Sequence, residues 1–362
     1  MEDAEVAPIG MERLAVRLGK RWESIDRARE RTASLIRELG ETLQSKRLIP
    51  TDTSFVVFGS LARGEYTQGS DVDWTLLVDG QADPAHLTVS HEIARELKAK
   101  RLNAPGPAAV FGSVTFSHEL IHHIGGQADS NRNTTQRILL LLESVPIGPA
   151  DAYERVIRSI FSRYLDNDIS FLTRSRSGEH YKVPRFLLND IVRYWRTMCV
   201  DYATKFRERQ GAEWALRNAK LRMPRKLIFA SGLLTCFSCY LRPPPTISDL
   251  FQSANQFEPM VKHLRSFVGR PPTDILADAF HDYADEPAIA QYADSYADFL
   301  GILNDGTKRE QLEHLRAEHA RTDELFGQVR VLSDNFQHAL MSLFFDSKEP
   351  KLRELTRKYG LF

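Results

Sequence analysis

Apolar positions recur at helical spacing from about residue 10 to residue 48, where Leu14, Val16, Leu18, Trp22, Ile25, Ala28, Leu35, Ile36 and Leu39 stand among interspersed acids and bases. That pattern predicts a solvated helix packed on the domain behind it. Ile49-Pro50-Thr51-Asp52 ends it, and the period then changes. Ser54 to Phe58 predicts a strand followed by a Gly59-Ser60 turn, and Asp71 to Val78 a second strand closed by Asp79-Gly80. Asp83-Pro84 supplies a cap and a first helical residue for a helix reaching about Arg101. Asn103-Ala104-Pro105-Gly106-Pro107 stops that helix, and Ala109 to Ser117 predicts a third strand. Asn133-Thr134 is expected to cap the apolar helix TTQRILLLLES, which Val145-Pro146-Ile147-Gly148-Pro149 ends. Beyond that point the pattern is helical, broken by Pro and Gly, with almost no strand signal. An α/β portion is therefore expected up to about residue 147, with a helical region after it.

Composition narrows the function classes. An apolar share of 42% across 362 residues supports a sizeable core. The 48 basic and 48 acidic residues cancel, so the whole molecule carries no polyanion-binding signature and nucleic-acid contact has to come from a local patch. Three cysteines, Cys199, Cys236 and Cys239, make no disulfide framework and fit a reducing compartment. The N-terminus has no apolar signal core, and the longest apolar run, Leu227 to Leu241, is too short to span a bilayer. A soluble, cytoplasmic protein is the expectation.

The chemistry gathers in FVVFGSLARGEYTQGSDVDWTLLVDG. On a strand, residues i and i+2 face the same way, so Asp71 and Asp73 project together while Val72, Trp74 and Leu76 project to the other side. Two carboxylates that close repel unless a cation lies between them. Mg²⁺ takes oxygen ligands and shares its sites with substrate phosphates. Gly59-Ser60, after the neighbouring strand, allows close backbone approach to an anion, and its N–H groups and the Ser60 hydroxyl can bind phosphate oxygens. Arg63 could add a charge-assisted contact. A Gly-Ser pair alone is most often only a tight turn; its combination with Asp-x-Asp at the head of the next strand is what carries the chemistry.

The segment FGSLARGEYTQGSDVDWTLLV resembles the signature of the polymerase-β-like nucleotidyltransferase superfamily. Arg63-Gly64-Glu65 and Ser70 make it look closer to the branch containing the bacterial uridylyltransferase of nitrogen signalling. The resemblance is specific over residues 55–80. It implies an α+β fold, with a small mixed-sheet nucleotidyltransferase domain and its N-terminal helix over residues 1–147 and a mostly α-helical domain over 148–362. It also implies Mg²⁺ or Mn²⁺ held by Asp71 and Asp73, and a nucleoside triphosphate contacted by Gly59 and Ser60, with Arg63, Ser70 and Lys220 as further candidate nucleotide contacts. The superfamily usually supplies a third carboxylate from a later strand. The third strand here, VFGSVTFSHEL, holds no Asp, and Glu119 is the candidate for that catalytic and metal-ligating place.

Other readings compete locally. His118-Glu119-Leu120-Ile121-His122 spells HExxH, which on a sustained helix would bind zinc with Glu119 as the general base of a peptidase. Ile124-Gly125-Gly126 follows too soon for such a helix, and histidines near a strand end are the plainer reading. Cys236-x-x-Cys239 lies in an apolar run and reads as buried helical thiols rather than a zinc or redox pair. Arg185, Arg193, Arg196 and Lys205, then Arg217, Lys220, Arg222, Arg225 and Lys226, with Trp195, Tyr202 and Trp214 among them, form a basic stretch. It could hold RNA or DNA, or be a solvated helix face paired with Asp190, Asp201, Glu208 and Glu213. The acceptor of a transferred nucleotide is open at this level: a nucleic-acid end, another nucleotide, a protein or a small molecule. A catalytically silent nucleotide-binding protein is the alternative from another class.

Overall fold

The structure is a computed structural model that describes residues 8–106, 110–166, 183–208, 211–241 and 258–360. Four strands form one sheet in the order β3-β2-β1-β4: β1 (Thr53–Phe58), β2 (Trp74–Val78), β3 (Ser113–Phe116) and β4 (Ser144–Ile147). β1 pairs antiparallel with β2 and β4, and β2 pairs parallel with β3, so the sheet is mixed. The described helices up to residue 166 are α1 (Met11–Leu18), α2 (Glu23–Ser45), α3 (Gly59–Ala62), α4 (Pro84–Ala99), α5 (Ser117–His122), α6 (Asn131–Leu142) and α7 (Asp151–Asp166). They are followed by α8 (Arg185–Glu208), α9 (Trp214–Lys220), α10 (Lys226–Leu241), α11 (Glu258–Arg265) and α12 (Pro272–Tyr283). α13 (Glu286–Asn304), α14 (Gly306–His314), α15 (Glu324–Phe345) and α16 (Pro350–Leu355) complete the described elements of four or more residues, apart from two π-helical turns. Among the described residues the fold is α+β, a small sheet followed by helices.

The chain divides into two compact units. One holds Arg27–Asp201 and Thr235–Arg270; the other holds Met1–Asp26, Tyr202–Leu234 and Pro271–Phe362. This differs from a single boundary near residue 147. The reason is visible on β1, where the Ser54 hydroxyl donates to the Pro149 carbonyl (2.9 Å) and accepts from the Tyr153 amide (3.2 Å). The first helix past residue 147 is thereby fastened to the sheet.

In the sheet unit, α2 and α4 cover one face. Leu35, Leu39, Leu43, Ile93 and Leu97 pack with Phe55, Val57, Trp74 and Leu76. Every residue of β1 and β2 is buried, as a sheet covered on both faces requires. The expected long N-terminal helix is two helices, because Gly19 takes the left-handed conformation (φ 60°) and closes α1 on the Ala15 carbonyl. β2 starts at Trp74 rather than Asp71, and β3 at Ser113; residues 107–109, including part of the predicted stop and the predicted start of β3, lie outside the described residues. β4 was not expected: Val145-Pro146-Ile147 reads as a helix stop. Pro146 is tolerated there because β4 is an edge strand.

In the other unit, α1 lies along α12, where Arg13 pairs with Asp278 (3.1 Å) and Asp282 (2.9 Å). Phe280 and Tyr292 stack there at 4.4 Å between ring centroids. α9 runs through a π-helical turn, Leu221–Arg225, into α10. No helix among the described residues is long and apolar enough to cross a membrane.

Cys236 and Cys239 are fully buried on α10. Burial pushes the Cys236 thiol well up and the Cys239 thiol up to about 12. The thiolate is the reactive form, so at pH 8 an aromatic disulfide reagent is expected to leave both unmodified in the native protein and to reach them only in denaturant. Rapid native labelling of either one, located by peptide mass, would contradict this.

Candidate active site

The antiparallel register that builds the sheet also assembles the site. Val57 pairs with Trp74, and one residue further the Phe58 amide donates to the Asp73 carbonyl (2.8 Å). Gly59 therefore stands beside Asp73. It has φ +66°, and a Cβ built there would lie 3.1 Å from Asp73 Oδ2. Glycine is thus favoured by the backbone conformation, and any side chain there would press on the carboxylate. Gly59→Ala is expected to cost about 1–2 kcal/mol of stability from the left-handed conformation alone. A thermal melt beside an assay of nucleotide turnover checks this, and an alanine variant with the wild-type melting temperature and rate would refute it.

Asp71 and Asp73 lie in the extended lead into β2, not within it. The alternation survives nonetheless: Val72 and Trp74 are 0% and 1% exposed, whereas Asp71 is exposed and Asp73 half-buried. The Val72 amide donates to the Asn103 carbonyl (3.0 Å), which pins this lead-in. Gly59 and Ser60 open the single helical turn of α3, so their amides have no partner within that turn. Their carbonyls accept from Arg63 (3.0 Å) and Glu65 (2.8 Å). The loop then turns at Gly64 (φ +74°), and the Tyr66 amide donates to the Thr32 hydroxyl of α2 (3.1 Å). Burial raises the Tyr66 phenol; Arg31 of α2 lowers it and Asp71 raises it, so this hydroxyl lies in the field of both.

The remaining candidates separate. Ser70 is buried, its hydroxyl 2.9 Å from that of Thr67 and accepting from the Thr67 amide (3.1 Å), which closes the loop. The Arg63 guanidinium is 10% exposed and held by Glu65 (2.7 Å) and Glu143 (2.5 Å). Glu119 is not brought into a metal-enclosing group with the two aspartates. β3 runs parallel to β2, which sets Phe116 level with Val78, the end of β2 away from Asp73. Glu119 follows on α5 and is exposed. Two steps before Ser113, the β3 residue paired with Thr75, the chain has Phe111, whose ring packs on Phe58 at 4.8 Å. Among the described residues no three His, Cys, Asp or Glu side chains gather to enclose a metal. Two carboxylates beside the opening amides of a helical turn still fit Mg²⁺ or Mn²⁺, which completes its shell with water and substrate phosphate.

His118 and His122 share a face of α5 with ring centroids 4.8 Å apart, but this helix has six residues and ends at His122. Lys220 ends α9, and with Arg217, Arg222, Arg225 and Lys226 it belongs to the unit without the sheet, whereas Arg193 and Arg196 belong to the sheet unit. Arg222 reaches Asp334 (3.7 Å) and Arg217 reaches Glu213 (3.9 Å). Arg193 donates to the Asp129 carbonyl (2.8 Å) and the Asn131 side chain (3.1 Å), while Arg196 is exposed.

Residues 36–101 match the family model of the nucleotidyltransferase domain. This stretch, from the middle of α2 through the Gly-Ser turn and both aspartates to the end of α4, is a nucleotidyltransferase domain of the polymerase-β-like superfamily. No curated protein matches the chain closely enough to count as a relative.

Proposed function

We propose that the protein is a metal-dependent nucleotidyltransferase that moves an NMP or dNMP from a nucleoside triphosphate to an acceptor hydroxyl. The observation that carries this reading is the register that sets Gly59 against the Asp73 carboxylate, within a stretch matching the nucleotidyltransferase domain. Asp71 and Asp73 hold the cation; Gly59 and Ser60 orient the phosphates through backbone amides and the Ser60 hydroxyl. A bound Mg²⁺ or Mn²⁺ supplies charge neutralisation at the phosphoryl oxygens. The acceptor hydroxyl gives up its proton to solvent as its oxygen bonds to the α-phosphorus, the bond from that phosphorus to the oxygen bridging the β-phosphate breaks, and pyrophosphate leaves. The basic run Arg217, Lys220, Arg222, Arg225 and Lys226 supports RNA, DNA or another nucleotide as acceptor, since nucleic-acid affinity comes largely from phosphate neutralisation.

A second reading, a nucleotide-binding protein without turnover, is favoured by one feature: Phe111, not an acid, lies on the approach to β3 beside Phe58. Incubation with each labelled NTP and dNTP, Mg²⁺ or Mn²⁺, and tRNA, single-stranded DNA or nucleotide acceptors decides between them. Metal-dependent label transfer with pyrophosphate release supports the enzyme. Saturable binding without transfer to any acceptor supports the second reading.

A further inference from the structure

We propose that Arg63 is a positioning residue that locks the Gly59-Ser60 loop in its phosphate-binding shape, and not a ligand of the triphosphate; this rests on the nucleotidyl-transfer reading of the same loop. Arg63 Nε donates to Glu65 Oε2 (2.7 Å) and Nη1 to Glu143 Oε2 (2.5 Å). The three side chains are 10%, 4% and 7% exposed, so this is a buried clamp and not a surface ion pair. Its two anchors lie on different parts of the fold. Glu65 follows the loop itself. Glu143 ends α6 and immediately precedes Ser144, which pairs with Phe58 at the end of β1, one residue before Gly59.

The backbone closes the same circuit. The Arg63 amide donates to the Gly59 carbonyl and the Glu65 amide to the Ser60 carbonyl, and Gly64 at φ +74° supplies the turn between them. Each loop residue offered to phosphate is thus tied to a residue of the clamp, and the clamp is tied to the sheet edge through Glu143. The forked guanidinium satisfies both carboxylates at once, which the single ammonium of lysine cannot reproduce. An arginine committed in this way acts on the reaction through the loop.

The test compares Arg63→Lys, Glu143→Gln and the double variant in the full chain, with circular dichroism confirming that each folds. Hydrogen exchange of the peptide spanning residues 58–66 is read first, without nucleotide. Each single variant is expected to speed exchange there about tenfold or more while leaving that of α15 unchanged, because a buried pair has been broken locally. Wild-type exchange rates in Glu143→Gln overturn the proposal. In steady-state kinetics, Glu143→Gln is expected to copy Arg63→Lys: kcat/KM for the triphosphate falls by up to about a hundredfold in both, as for a misplaced catalytic frame. The double variant is expected to be no worse than either single one. If Arg63 instead touches the triphosphate, Arg63→Lys raises KM and Glu143→Gln leaves both constants at wild-type values. If the wild type transfers no nucleotide at all, the functional reading fails and the exchange result alone decides the clamp.

Discussion

Asp73→Asn is expected to lower metal-dependent pyrophosphate release about a thousandfold, the kinetic equivalent of losing some 4 kcal/mol of charge stabilisation at the phosphoryl group. Asparagine keeps the shape that Gly59 packs against, with the amide 3.1 Å from where a Cβ would sit, so folding is expected to survive. Asp71→Asn is expected to fall into the same range, since each residue supplies half of the carboxylate pair. The double variant is expected to be hardly worse than either single one, because residues acting as a unit are not additive. Glu119→Gln provides the contrast. As an exposed residue outside any metal-enclosing group, it is expected to change the rate by no more than about twofold to threefold, the effect of an ordinary surface substitution. A loss matching that of Asp73→Asn would put Glu119 in the site; retained activity in Asp73→Asn would remove the pair from it.

Arg137→Met is expected to destabilise the sheet unit by about 3–5 kcal/mol, the usual result of removing one partner from a buried ion pair. Arg137 is 0% exposed within the apolar helix α6. Its guanidinium donates to both oxygens of Asp129 (3.1 and 2.9 Å), to Asp190 (2.7 Å) and, through Nε, to the Tyr164 hydroxyl (2.7 Å), which itself donates to Asp190 (2.6 Å). Burial opposes its charge, but Tyr164, Asp129 and Asp190 outweigh that effect and raise its pKa above the ordinary arginine value. The network joins α6, α7 and α8 to the turn before α6. Methionine fills much of the volume, leaving Asp190 buried without its paired arginine and Asp129 with only Arg193 at 3.4 Å. The melting temperature is expected to fall by about 6–20 °C for a domain of this size. Asp129→Asn, which keeps an acceptor, is expected to cost less. A fall of under about 2 °C for Arg137→Met would show that the network carries little of the stability.

How much of this was readable in advance follows from the range of each interaction. Asp83 and Pro84 announced α4 because capping is local: the Asp83 side chain accepts from the Ala85 amide (2.7 Å). Gly59 and Asp73 were readable as neighbours because a strand, a turn and a strand fix their geometry within a few residues. β4 was not readable, since a four-residue strand containing proline exists only because β1 offers it an edge. The helix TTQRILLLL read as plain core, and nothing adjacent to Arg137 in sequence announced a buried cation, because Asp190 is contributed from α8. Arg63 read as a phosphate contact for the same reason. Its partner Glu143 lies eighty positions further along the chain.

Local spacing and strand parity were enough to read a nucleotidyltransferase domain and to put Asp71 and Asp73 on one side of the chain, because both are set within a few residues. Which charged side chains are paired and buried depends on the folded chain. Burial and pairing are properties of distant segments brought together. That is why the pairing of Arg63 with Glu143, the bond from Arg193 to Asp129 and the close fit of Gly59 against the Asp73 carboxylate came only from the folded chain.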